Sequence, residues 1–294
     1  MNTNTADFLA QPLQFAEVGR ARIAYRKFGG GPVLLLLHGF PFSSLTYRHL
    51  VPHLQRHFTC YALDTPGSGD TEWHRNYNFH FQAQAHTVRQ FVDAIGVQSY
   101  TVVGHDSGAT LARLLALIDP ERVERLILLN TEIPGHRPPL IPQYSALARI
   151  PGSTELMRPV FRSRRALRSR AMFGQVFSDR DRLDDDFFRC VTDPILQHRT
   201  RREGFRRYLL GFDWRIVDDF QTTHARISAP VRLIWGADDP FFPVHLARDM
   251  TEQFGPTAQL SVIANAKLLV HEEHPDHVAA AVVDFMQSQQ AAHP

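Results

Sequence analysis

The sequence predicts an α/β fold, in which helices cover both faces of a mostly parallel, doubly wound sheet. Apolar runs of strand length alternate with helical stretches along most of the chain, which is the pattern of that class. The run 33–37 is apolar at every position, as expected for a central strand that is buried on both faces. Further strands are predicted at 22–28, 59–63, 100–103, 125–129, 231–235 and 259–263, and helices at 48–57, 81–95, 109–118, 245–254 and 274–287.

The elements are supported in order by local signals. The stretch 22–28 alternates like a partly exposed strand, and the glycines and proline at 29–32 end it. The region 133–225 differs, because it opens with a proline-rich segment and continues with arginine- and phenylalanine-rich helical patterns without a clear buried strand. Strand and helix alternation resumes at Val231. We therefore predict a core domain of residues 1–132 and 226–294 with a helical cap domain, 133–225, rather than a few extra surface helices.

Composition limits the classes of partner. The 32 basic and 30 acidic residues give a formal charge of +2, so we expect no bulk attraction to nucleic acid or membrane and a small molecule as the partner. The arginines around 162–170 are interpreted as a solvated face, with attraction of an anionic substrate as the alternative. We expect a cytoplasmic protein for three reasons. The two cysteines are far apart, the sequence has no secretory signal pattern, and no apolar run is long enough to span a membrane. Scattered histidines and the absence of phosphate- or dinucleotide-binding motifs predict neither a metal nor a cofactor.

A glycine-flanked turn carries the strongest chemical signal. Gly104-His105-Asp106-Ser107-Gly108 joins a predicted strand to a predicted helix, as in the nucleophile elbow, where the central residue is held exposed at the strand end. The usual central residue is serine, and here it is Asp106. A carboxylate can attack an sp3 carbon that bears a leaving group, or an epoxide carbon, and form a covalent ester. The alternative is that Asp106 merely caps the helix. In either case, its place at the helix N-terminus predicts an ionised side chain.

With this turn, the chain resembles the aspartate-nucleophile branch of the α/β-hydrolase superfamily, which includes epoxide hydrolases and haloalkane dehalogenases. His38-Gly39-Phe40-Pro41 is similar to that branch's HGxP turn, and 64–71 resembles its glycine-rich turn. The resemblance implies the α/β-hydrolase fold with its cap, and an oxyanion hole formed by the backbone amides of Phe40 and Ser107. His38 and His105, which flank these positions, are further candidates for contact with substrate.

The resemblance offers two candidates for the acid that orients a catalytic histidine. Asp239 occupies the acid position in a segment similar to the family's WGxxD, and we favour it. Glu132 follows the strand before the cap, where some dehalogenases carry their acid. A simple turn at Asp239 and a salt bridge at Glu132 are the structural alternatives.

The family's catalytic histidine is replaced. The position that the resemblance assigns to it, seven residues before Pro275, holds Leu268, which can neither accept nor donate a proton. His271, three residues later, is the best catalytic candidate if the loop is shifted, and Lys267 is a remote one. His271 could equally be a loop residue that fixes the last helix.

Three functions stay open from the sequence. The first is an enzyme that attacks an epoxide or another small electrophile through an Asp106 ester, with Tyr144 and Tyr208 as candidates to activate the epoxide oxygen. The second is a catalytically weakened receptor or carrier that binds a small ligand under the cap. The third is an enzyme that cyclises, eliminates or adds without hydrolysis. Haloalkane dehalogenation is disfavoured, because Phe40 and Ser107 stand where the dehalogenases place halide-binding asparagine and tryptophan.

Overall fold

The computed structural model describes residues 2–139 and 141–288, in which nine strands form one sheet. The order across the sheet is β1-β2-β4-β3-β6-β7-β8-β9, with β5 paired to β2, and the strands from β4 to β9 along this order are parallel. The strands are β1 Gln14–Val18, β2 Ala21–Phe28, β3 Val33–Leu37, β4 Thr59–Leu63, β5 Glu72–Trp73, β6 Tyr100–His105, β7 Val123–Leu129, β8 Val231–Gly236 and β9 Gln259–Ile263. The predicted α/β fold with a mostly parallel sheet is confirmed.

Helices lie on both faces of this sheet. In the core they are α1 Thr3–Ala10, α2 Val51–Leu54, α3 Phe81–Ala94, α4 Ser107–Ile118, α13 Val244–Thr251, α14 Val270–Glu273 and α15 Pro275–Ser288. The helix predicted at 48–57 is replaced by a 3-10 turn, Ser44–Tyr47, followed by the single turn of α2. Of the described residues, no helix is long and apolar enough to cross a membrane.

Alternate residues of the central strands supply two apolar cores. Leu35 and Leu37 of β3 pack in the core that α3, α4 and α13 cover, whereas Leu34 and Leu36 pack in the core beneath α1, α2 and α15. Because successive side chains of a strand point to opposite faces, a strand between two helical layers must be apolar throughout. This explains the uninterrupted apolar run from which the central strand was predicted.

Between β7 and β8 the described residues form helices and loops without a strand. We call 133–225 the helical insertion. Its helices are α5 Ile141–Ala148, α6 Ser153–Leu156, α7 Arg158–Arg162, α8 Arg164–Leu167, α9 Asp185–Val191, α10 Asp193–Gln197, α11 Arg199–Gly211 and α12 Trp214–Thr223. Buried phenylalanines of the insertion, among them Phe161 and Phe187, belong to the same apolar core as α3 and α4. The insertion therefore lies against the face of the core that carries the elbow; whether it is a separate domain stays a prediction.

Candidate active site

Asp106 lies in the tight turn between β6 and α4. Its φ of 51° and ψ of −131° are sparsely populated for a residue with a side chain, and such strain is concentrated at functional turns. Close approach explains two neighbouring glycines: a Cβ on Gly39 would lie 2.4 Å from the Asp106 Cβ, and one on Gly108 would lie 2.2 Å from the Leu37 carbonyl oxygen. The sequence thus holds the Asp106 side chain against the turn that follows β3.

The carboxylate of Asp106 is held by two backbone amides. The Phe40 N–H donates to its Oδ1 at 3.1 Å, and the Ser107 N–H donates to the same oxygen at 2.6 Å. These are the amides that the family resemblance assigns to an oxyanion hole. Because both backbone amides donate their hydrogen bonds to Oδ1, Oδ2 is the oxygen available to attack a carbon atom.

The electrostatic surroundings of Asp106 are unlike those expected from its place at a helix N-terminus. Burial, reinforced by the nearby Glu132 carboxylate, raises the pKa of Asp106 well above its usual range, although the bonds from Ser107 and Phe40 oppose the shift. Desolvation disfavours the charged form of a buried acid, and here it outweighs the helix dipole. The site therefore favours the neutral form of Asp106 more than an exposed turn would.

An apolar cavity of about 140 Å³ lies over Asp106, between the core and the insertion. An engineered apolar cavity of similar size in another protein binds benzene, so this volume suits a small apolar ligand. The core contributes Phe40, Pro41, Phe42, Asp106, Phe241, Phe242 and Leu268, and the insertion contributes Pro138, Ile141, Tyr144, Leu147, Ala148, Ser153, Thr154, Met157, Phe161, Met172, Phe173, Val176, Phe205, Arg206 and Leu209. Among these residues Asp106 is the one carboxylic acid.

Leu268 lines this cavity, whereas His271 does not. The His271 ring is fully buried, with its Nε2 2.9 Å from the Thr46 hydroxyl and its ring centre 4.5 Å from that of His105. Burial holds the pKa of His271 well below its ordinary value. The structure thus does not bring His271 into hydrogen-bond contact with Asp106, and its placement is that of a residue that fixes α14 to the core. Lys267 is anchored through its backbone N–H, which donates to Glu273 at 2.7 Å.

Asp239 lies in the turn after β8 and is buried, but its hydrogen bonds are to other groups than a histidine. Its Oδ2 accepts from the Asn130 side chain at 2.6 Å, and its Oδ1 accepts from the Phe241 N–H at 2.8 Å. Burial raises the pKa of Asp239 to about 7. These bonds hold the turn that presents Phe241 and Phe242 to the cavity, so Asp239 supports the cavity wall.

Glu132 is part of a buried network behind the nucleophile. Its Oε2 accepts from the hydroxyls of Thr110 at 3.0 Å and Thr131 at 2.8 Å. The fully buried Arg113 donates to both of those hydroxyls and lies 3.9 Å from the Glu132 carboxylate. The Thr131 hydroxyl is also 2.9 Å from the carbonyl oxygen of Asp106, so the network contacts the elbow directly.

Arg113 was missed by the sequence reasoning. It stands alone as a charge in the apolar helix α4, and a lone charge on a buried helix signals a paired or functional group. It connects the core with the insertion, because its guanidinium lies over the Phe220 ring of α12 at 4.3 Å. Burial lowers the pKa of Arg113 to about 10, which leaves it charged at neutral pH.

The remaining predicted contact residues are divided between two cavities. Tyr144 lines the main cavity, and its hydroxyl donates to the Ala171 carbonyl. Tyr208 and His38 line a smaller neighbouring cavity. The Tyr208 hydroxyl donates to Ser107 Oγ at 2.8 Å, and its ring stacks on Phe40 with centres 4.9 Å apart. Tyr208 therefore reaches the elbow through Ser107.

Two histidines near the elbow are buried and bonded to backbone groups. The His38 Nε2 accepts from the Thr65 N–H at 3.0 Å, and burial lowers its pKa. His105 Nε2 lies 3.0 Å from the Leu268 carbonyl oxygen, and burial lowers the pKa of His105 to about 3. Both histidines are neutral and act in the architecture of the site.

This fold and site can now be placed among known proteins. A family model described as the alpha/beta hydrolase fold matches residues 32–275. The chain therefore belongs to the α/β-hydrolase fold family, and the family resemblance that its motifs predict is confirmed.

Proteins similar to this chain are named for several different activities. Haloalkane dehalogenase 2 of Mycobacterium tuberculosis is 26% identical over 90% of this chain and 91% of its own. Human epoxide hydrolase 4 is 23% identical over 88% of this chain and 74% of its own. The structure of a putative lipase from Acinetobacter baumannii has a TM-score of 0.80 at 19% identity and covers 98% of this chain and 95% of its own. Its likeness shows the shared fold alone.

Proposed function

We propose that the chain is an enzyme of the α/β-hydrolase family whose Asp106 forms a covalent ester with a small apolar electrophile, an epoxide in the first place. The observation that carries this proposal is the position of Asp106 under an apolar cavity, with one carboxylate oxygen held by two amides. The names of two relatives, a dehalogenase and an epoxide hydrolase, agree with an electrophilic carbon as the target.

In the first step, Oδ2 of ionised Asp106 bonds to an epoxide carbon as that carbon's bond to the ring oxygen breaks. The released oxygen takes a proton from the Tyr144 hydroxyl, which lines the cavity and is reprotonated by water, and a hydroxyalkyl ester remains on Asp106. The apolar walls favour this step, because a desolvated carboxylate is a stronger nucleophile than a hydrated one.

Hydrolysis of the ester requires water to attack the Asp106 Cγ, with the developing oxyanion on Oδ1 stabilised by the Phe40 and Ser107 amides. A general base contributes roughly 10²–10⁴ to the rate of such a step. Leu268 lines the cavity at the family's base position and supplies none. We therefore expect the ester to form faster than it is hydrolysed, so that it accumulates.

Intact-protein mass spectrometry after incubation with a panel of apolar epoxides and haloalkanes tests the proposal. The expected result is a mass increase of one substrate per chain, located on Asp106 by peptide mapping and absent from Asp106→Asn. Asp276→Asn serves as the control, and it retains the adduct because Asp276 is exposed on α15, away from the cavity. A panel that labels no residue, or that labels Asp106→Asn equally, excludes the covalent route.

The raised pKa of Asp106 favours a second candidate, in which protonated Asp106 donates its proton to an apolar substrate and starts a cyclisation or isomerisation. The two candidates predict opposite pH dependence. Ester formation needs the ionised acid and rises with pH through the pKa of Asp106, whereas proton donation needs the neutral acid and falls. Labelling and turnover measured across the same pH series distinguish them.

A further inference from the structure

The charge of the chain is unevenly distributed. Segment 141–170, which contains α5 to α8, holds seven arginines and one glutamate and so carries +6. Since the whole chain carries +2, the other residues together carry −4. The low overall charge, from which no attraction to membranes was predicted, therefore conceals a strongly basic part of the insertion.

Several of these arginines lack a carboxylate partner. Arg149, Arg162, Arg165 and Arg170 are exposed, and no carboxylate of the described residues forms an ion pair with them. The segment's one glutamate, Glu155, is already paired with Arg158 and Arg202, and Arg164 is paired with Asp185 and Asp193.

Exposed apolar side chains lie in the same segment. Ile150 is 50% exposed and Leu156 is 70% exposed, whereas the other large apolar side chains that the described residues expose are between 36% and 39% exposed. Ile150 directly precedes the Pro151–Gly152 turn, and Leu156 is the last residue of α6, which follows that turn. The Ser153 N–H closes the turn by donating to the Ile150 carbonyl at 3.1 Å. Ile150 directly follows the unpaired Arg149 in sequence, and the short helices α5 to α8, which carry two of the other unpaired arginines, pack against one another in order.

This turn is also next to the cavity. Ala148, Ser153 and Met157, which neighbour the exposed residues in sequence, line the cavity wall, and Thr154 and Met157 are half-buried. One short segment therefore forms both the exposed turn and part of the cavity wall.

We propose that this surface, formed by Arg149, Ile150, Leu156, Arg162, Arg165 and Arg170, docks on an anionic lipid bilayer. Arginines attract the acidic headgroups, and the two apolar side chains insert at the boundary between headgroups and acyl chains. An acidic protein or a nucleic acid would use the cations but would leave the apolar turn without a function. Docking places the cavity next to the phase in which apolar molecules concentrate.

Sedimentation with vesicles tests the proposal and does not depend on the chemistry of Asp106. Phosphatidylcholine vesicles with and without phosphatidylglycerol are compared, and Asp106→Asn is expected to bind as the wild type does. Each basic residue at an anionic surface contributes about fivefold to the partition coefficient. The variant R149Q/R162Q/R165Q/R170Q should therefore bind anionic vesicles at least about 50-fold less tightly.

The matched control R20Q/R56Q/R89Q/R226Q removes four exposed arginines outside the surface and should bind nearly as the wild type does. The variant I150S/L156S should bind anionic vesicles about tenfold less tightly than the wild type. Its control, L9S/V262S, should bind nearly as the wild type does. Binding should weaken as salt rises. Equal binding to neutral and anionic vesicles, equal losses in the two arginine variants, or RNA binding without vesicle binding would overturn the proposal.

Discussion

The charge on Asp106 decides which of the two candidate reactions the cavity supports. Two carboxylates, Asp106 and Glu132, share one buried region with the guanidinium of Arg113. His224, which lies beside Arg113, and Tyr208, which contacts Ser107, are also buried, and burial lowers the pKa of His224 to about 2. Glu132 is the group whose charge most directly opposes ionisation of Asp106.

Removing that charge should make Asp106 a better nucleophile at low pH. Glu132→Gln keeps oxygen acceptors for Thr110 and Thr131 but lowers the pKa of Asp106, because a like charge has gone. One pKa unit is a tenfold change in the ionised fraction below the pKa. We expect about tenfold faster labelling of Glu132→Gln at pH below the wild-type pKa, and equal rates well above it. A pH profile of labelling that the substitution leaves unchanged would contradict this assignment.

Leu268 is the second residue on which the reaction depends. Leu268→His, combined with Lys267→Gly to reopen the turn, places an imidazole at the cavity wall where the family has its base. The variant should form the ester as the wild type does but hydrolyse it roughly 10²–10⁴ times faster, as expected of a general base. Release of the diol product, followed together with decay of the adduct, measures this gain. Leu268→Asn is the control for polarity without a base, and an equal gain there would show that water access and not a base limits hydrolysis.

Short motifs made part of this site predictable from sequence. The elbow and the HGxP turn indicated that Asp106 would meet the Phe40 and Ser107 amides, because turn geometry is local and glycine positions reveal it. The raised pKa of Asp106 could not be predicted in the same way. It depends on burial by the insertion and on Glu132, 26 residues away in sequence, and neither is a property of the motif.

At the scale of elements, the role of His271 depends on the single turn of helix α14. Sequence spacing left this role undecided, because spacing does not show which way the turn points. The Thr46 hydroxyl donates to Glu272 at 2.9 Å and so accepts from His271, while Arg48 donates to the same Glu272 oxygen at 2.8 Å. These bonds hold α14 beneath the 3-10 turn Ser44–Tyr47. A histidine three residues from the family position thus lies in a structural network, on a turn whose direction the sequence did not reveal.

His271→Ala should therefore lower stability without changing the fate of the ester. Loss of a fully buried ring and its hydrogen bond is expected to reduce the free energy of unfolding by roughly 2–4 kcal/mol. Urea denaturation measures this loss, and decay of the Asp106 adduct should proceed at the wild-type rate in the folded variant. His277→Ala, an exposed histidine on α15, is the control and should be close to neutral. An adduct that persists longer in His271→Ala would restore His271 as the base.

At the scale of the whole molecule, the core was easier to predict than its contact with the insertion. Periodicity and apolar runs identify buried strands, because a strand between two helical layers is buried on both faces and therefore carries few polar residues. The helices of the insertion follow one another in short turns, and their packing depends on single long-range contacts such as that between Arg113 and Phe220. Such pairs leave no periodic pattern in a sequence.

Arg113 connects the two parts and compensates the charge of Glu132, so its loss should affect the stability of the whole molecule. Arg113→Met fills a similar volume but leaves a buried carboxylate without its cation, which typically reduces the free energy of unfolding by roughly 3–5 kcal/mol. Removing the carboxylate as well, in R113M/E132Q, takes away the uncompensated charge. The double variant should therefore be more stable than Arg113→Met, by more than about 1 kcal/mol, as urea denaturation will measure. If the two substitutions instead reduce stability additively, the 3.9 Å pair contributes nothing, and Arg113 acts through its hydrogen bonds to Thr110 and Thr131 and its contact with Phe220.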